Sequence, residues 1–143
     1  YLGEKELRRF ILLVLVSELA SDRPDELVRI AVVRAKFMEL IVNGSPMESH
    51  GSELYLVGLL SFLDVMLNVS MTDVMEKLPL EENVKSALIS MQGDLAPFLR
   101  IAIAYERNQS RQLMSELNTI GIKPKLITSS YLEAVRYAKG ILL

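Results

Sequence analysis

The sequence predicts an all-α fold, a single compact domain of seven or eight helices. Three observations predict it. Apolar residues recur at three- and four-residue spacing almost throughout, and the alternation of a strand is nearly absent. Gly, Pro, Asn and Asp punctuate the chain into segments of helical length. The 143 residues are 50% hydrophobic with a net charge of −2, which excludes disorder and is enough for one domain with its own core.

The elements follow in order. Glu4–Ala20 is an apolar-rich helix closed by the Ser21-Asp22-Arg23-Pro24 turn. Pro24 suits a first helical position, where its missing N–H costs nothing. A second helix runs over about Asp25–Val42, with Leu27, Ile30, Ala31, Phe37, Met38 and Ile41 on one face and Gly44 as a left-handed cap. Gly44–Ser52 reads as the longest loop. The third helix, Glu53–Asn68, is apolar nearly all round and is the expected centre of the core. Ser70 and Asp73 have the spacing of a capping box for a short helix ending near Leu78, which Pro79 breaks. Glu81–Met91 is the next helix, and Gly93-Asp94 is expected to stop it and cap Leu95–Arg107, with Pro97 tolerated in the first turn. Ser110–Ile120 ends at Gly121, Ile122–Thr128 reads as a linker, and Ser130 with Glu133 is expected to cap a last helix toward Leu142.

Composition removes many functions. Without cysteine there is no disulfide, thiolate nucleophile or Cys metal site, in keeping with a reducing, cytoplasmic setting. The uncharged stretches Phe10–Ser17 and Leu54–Leu63 fall short of the ~18–20 residues a bilayer span needs, and no signal peptide is read at the N-terminus. No membrane partner is therefore expected. The N-x-S sequons at Asn68 and Asn108 read as chance matches. No basic cluster with interleaved aromatics marks a nucleic-acid partner, and Tyr105 with Arg107 reads as a helix end. Phosphate loops, the G-x-G-x-x-G fingerprint and the G-x-S-x-G elbow are missing. His50 is the sole histidine, which excludes sites needing two imidazoles, and it reads as a solvated loop residue. Glu81 and Glu82 are adjacent and diverge by about 100° on a helix, so they form no facing acid–base pair. The methionines read as core gap-fillers. No catalytic, metal or cofactor site is read in these residues.

Particular strings carry more information than periodicity. Leu7-Arg8-Arg9-Phe10, Val33-Arg34-Ala35-Lys36-Phe37-Met38-Glu39-Leu40, Val57-Gly58-Leu59-Leu60-Ser61-Phe62-Leu63-Asp64, Leu78-Pro79-Leu80 with Ala87-Leu88, Ala104-Tyr105-Glu106, and Tyr131-Leu132-Glu133-Ala134-Val135 with Tyr137-Ala138 occur in that order. In order and spacing the chain resembles the C-terminal part of the HDOD domain, as found in bacterial EAL–HDOD signalling proteins. The resemblance covers essentially the whole chain. Phe10 and Tyr137 stand where that family often has tryptophan. The family is a degenerate relative of the HD-type metal-dependent phosphohydrolases and lacks their His-Asp pair; no His-Asp dipeptide occurs here. The resemblance implies scaffold roles for Arg8, Arg9, Phe10, Arg34, Glu39, Gly58, Ser61, Asp64, Pro79, Tyr105, Glu106, Tyr131 and Ala134. It also implies that the domain's early helices and an EAL cyclic-di-GMP phosphodiesterase module lie before Tyr1, in keeping with a chain that opens on Tyr rather than Met.

The expected function is accordingly a non-catalytic signalling domain that regulates or docks an attached module. The alternatives are an HD-type metal-dependent phosphohydrolase and a freestanding helical adaptor. If part of the domain precedes Tyr1, the first helix exposes an apolar stripe, and Phe10, Leu13 and Val14 become a candidate interface for homo-oligomers. Arg34 shares the apolar face of its helix, and Asp64 is the first charge after Leu54–Leu63. A charge buried alone is costly, so the two are expected to pair, against a reading in which Arg34 reaches water along its stem and Asp64 is a surface charge.

Overall fold

The computed structural model describes residues 25–43 and 45–142, and the expected first helix, its closing turn and the Gly44 cap lie outside them. Among the described residues there are eight α-helices and no strand: α1 Asp25–Ile41, α2 Gly51–Leu60, α3 Leu63–Leu67, α4 Met71–Glu76, α5 Glu82–Ser90, α6 Ala96–Glu106, α7 Ser110–Ile120 and α8 Pro124–Leu142. A 3₁₀ turn, Glu48–His50, leads into α2, so part of the expected loop is helical.

The architecture is built around α1, which packs on α2 along one side and on α8 along another. Every residue of α2 from Leu54 to Leu60 is buried, as an all-round apolar helix requires. On α8 the residues Ile127, Ser130, Ala134 and Ala138 are buried at three- and four-residue spacing, giving α8 a stripe of mostly small side chains. The hairpin α4–α5 closes against α2 and α6, and α7 folds back along α6. The stretch Glu48–Leu67 is apolar and long enough to cross a membrane by length and composition, and half of it is buried within the domain.

Two boundaries and one cap differ from those expected, each for a local reason. The single helix Glu53–Asn68 is two, because the Ser61 hydroxyl donates to the Gly58 carbonyl at 2.7 Å and so competes with the backbone ladder. Phe62, at φ −107°, then leaves the helical path before α3 begins. The helix α5 ends at Ser90, within a residue of the expected Met91, which is itself in the left-handed region at φ 54°; the expected Asp94 cap does not form, since Leu95 precedes α6 and no side chain caps it. The expected linker Ile122–Thr128 is mostly helical, since Pro124 opens α8 and Ile127 begins its buried stripe. Ser130, expected as a cap, is therefore a mid-helix residue, only 5% exposed. Other signals held: Ser70 accepts the Asp73 N–H at 3.2 Å, and Gly121 closes α7 at φ 85°.

Candidate functional site

The tightest point of the fold is the crossing of α1 and α2. A Cβ placed on Gly58 would lie 2.5 Å from Ala35 Cα and 2.7 Å from Ala35 N, so the two backbones touch where only a glycine fits. That approach sets Arg34, the neighbour of Ala35, against the α2–α3 break.

Arg34 is 7% exposed, and each of its three guanidinium nitrogens is engaged. Its Nε donates to Glu106 Oε2 at 2.9 Å, and Nη2 donates to Glu106 Oε1. Nη1 donates to Ser61 Oγ at 2.9 Å, and the guanidinium carbon lies 4.1 Å from the centre of the Phe62 ring. A guanidinium out of water needs this arrangement: a bidentate carboxylate, a neutral acceptor and an aromatic face. Glu106, at the last turn of α6, opposes the helix dipole, and Arg34 offsets that cost.

The expected Arg34–Asp64 pair does not form. Asp64 instead accepts the N–H of its neighbour Val65 at 2.9 Å. The α2–α3 break explains the correction, because it brings Ser61 and Phe62 to the guanidinium and leaves Asp64 serving the first turn of α3.

Beside the fork sits an aromatic cluster. Phe37, Tyr105 and Tyr131 form a triangle with ring centres 5.6, 5.4 and 4.7 Å apart. Burial, and then the Glu106 carboxylate, push the Tyr131 hydroxyl above its ordinary value. Six of the expected scaffold residues thus converge here: Arg34, Gly58, Ser61, Tyr105, Glu106 and Tyr131. Ala134 belongs to the buried α8 stripe, Glu39 pairs with Lys36 at 2.9 Å, and Pro79 is exposed in the α4–α5 turn. Arg8, Arg9, Phe10, Leu13 and Val14 lie outside the described residues.

Two further polar groupings escaped the sequence reading. His50, half-buried rather than fully solvated, meets Glu53 through Nδ1 at 3.0 Å, and Asn83 donates to the other Glu53 oxygen at 2.8 Å, tying the start of α2 to α5. The i,i+3 spacing of His50 and Glu53 was the available signal. The hydroxyls of Tyr55 and Tyr137 are 2.9 Å apart, and the Lys36 ammonium lies 4.7 Å from the Tyr137 ring centre. That link between α2 and α8 had no local signature.

Among the described residues no three His, Asp or Glu side chains are placed to hold a metal ion. The charged groups at the centre of this all-helical domain are spent on one another, in a scaffold that locks α1, α2 and α6 together. Over 141 residues the chain is 29% identical to the cyclic di-GMP phosphodiesterase CdgJ of Vibrio cholerae, a match covering 99% of this chain and 33% of that protein. It is 26% identical over 144 residues to the uncharacterized protein YuxH of Bacillus subtilis, covering 99% of this chain and 34% of that one. The chain spans about a third of the length of these curated relatives. No family model and no solved structure matches it.

Proposed function

We propose that the chain is an HDOD-like regulatory domain that performs no hydrolysis itself and controls or docks a cyclic-di-GMP phosphodiesterase module on the same cytoplasmic polypeptide. One observation carries this reading. The similarity to CdgJ takes in 99% of this chain but only 33% of that phosphodiesterase, so two thirds of the relative lie outside the match and are free to carry the chemistry in this reading. The Arg34 fork supports it, since a buried arginine held by a part-buried carboxylate and a hydroxyl serves architecture rather than turnover. In this reading the HDOD strings are scaffold: Gly58 sets the helix crossing, while Ser61 and Glu106 hold Arg34.

The test compares the isolated chain with the longer polypeptide. The isolated chain is expected to leave cyclic di-GMP intact with Mg²⁺ or Mn²⁺ present. Deleting residues 25–142 from the longer protein is expected to change its hydrolysis rate. Turnover by the isolated chain, abolished by a chelator, would establish the HD-type hydrolase instead. An unchanged rate on deletion would favour a freestanding adaptor.

A further inference from the structure

Charge is segregated along the fold. Residues 43–94 hold eight acidic and two basic side chains, whereas residues 107–143 hold two acidic and six basic ones. The acidic portion includes the α4–α5 hairpin, supported by α2 and α6; the basic portion is α7, supported by α6, and α8, supported by α1. Between α4 and α5 runs a shallow groove with Met75 and Ile89 in its lining and Glu76 and Glu82 on it, Lys85 lying among them. Ile89 is 43% exposed there, and neither Glu76 nor Glu82 forms an ion pair among the described residues.

The outer face of α8 is its complement. Lys125, Leu132, Arg136 and Lys139 fall at helical spacing on the exposed side, opposite the buried Ile127–Ala138 stripe. Leu132 is 52% exposed, and none of the three cations makes an ion pair among the described residues. The α4–α5 groove offers an apolar floor with two carboxylates against the one Lys85 ammonium, and this helix face offers an apolar knob with three cations against the one Glu133 carboxylate beside it.

We propose that the acidic α4–α5 groove of one copy of this chain receives the basic outer face of α8 from a second copy. The two surfaces differ, so the contact is head-to-tail, and a third copy can add in the same way. Attraction between exposed charges reaches about 30 Å in 0.01 M salt and about 3 Å in 1 M, so the association depends on ionic strength.

The experiment is sedimentation equilibrium of the 143-residue chain at increasing concentration, in low and in high salt. The average mass is expected to rise with concentration in low salt and to return to the monomer in high salt. Glu76→Lys with Glu82→Lys, and separately Arg136→Glu with Lys139→Glu, should each give monomers, with circular dichroism unchanged because all four sites are exposed. Mixing the two double variants should restore association, since each then carries what the other's surfaces require. A monomer in every condition, association that survives either reversal or high salt, or a mixture that stays monomeric would each overturn the proposal.

Discussion

Arg34 and Glu106 stand 72 positions apart in the chain and meet as a two-pronged fork, Nε to Oε2 at 2.9 Å and Nη2 to Oε1. The Glu106 side chain is 20% exposed and the Arg34 side chain 9%, so the arginine is the partner that cannot return to water. Glu106→Ala is expected to cost about 1.5–3 kcal/mol, the range for losing a hydrogen bond to a charged group. Asp64→Ala, which removes only a local contact to Val65, should cost about 0–1 kcal/mol. Urea unfolding of both variants checks the pair, and equal losses would contradict the assignment of the arginine's partner.

Gly58→Ala opposes two effects. Helix propensity alone would favour alanine by about 1 kcal/mol. Its methyl, however, meets the Ala35 backbone at 2.5 Å, which no side-chain rotation relieves. Overpacking of this kind costs about 1–3 kcal/mol and more where backbone must move, so a net loss is expected. Thermal melting reads it, and a gain in Tm would show that the crossing has room.

The Tyr131 hydroxyl titrates above its ordinary value of 10.0 in the folded chain. Above that value the unfolded chain has already released this proton while the folded one still holds it. Stability therefore falls as pH climbs past 10 and levels off once the folded form ionises as well. Tyr131→Phe should lessen that alkaline loss and leave the neutral-pH side of the profile unaffected. Parallel curves for the two proteins on either side of pH 10 would count against a shifted hydroxyl.

Metal removal should leave the fold alone. The described residues hold no three-donor cluster, so a chelator is expected to leave the Tm unchanged to within the error of the measurement. A drop on chelation, reversed by Zn²⁺ or Mn²⁺, would reveal a structural ion.

The fold class and most helices were legible because periodicity and turn residues act over a few positions. The misreadings came where distant packing overrode a local cue. Ser130 has the spacing of a cap, but Ile127, Ala134 and Ala138 share its buried stripe and draw the helix upstream to Pro124. Ser61 looks neutral in an apolar run, yet its hydroxyl turns back on Gly58 and ends α2. The membership of the central site was visible in strings, whereas its pairing was not. Asp64 was the expected partner of Arg34, and only the packing of α6 on α1 brings Glu106 to the guanidinium in its place. The triangle of Phe37, Tyr105 and Tyr131 draws on three helices and has no short-range signature.

The contact of Gly58 with Ala35 also limits how the domain can move. A ratchet of α2 past α1 by one helical turn, about 5.4 Å, would bring Leu54 or Tyr55 to the point where Gly58 now sits. Neither side chain fits a gap that is too small for a methyl group. The α1–α2 pair therefore has a single register. Relative motion of these two helices is confined to a tilt about that contact, because sliding would drive a side chain into the Ala35 backbone.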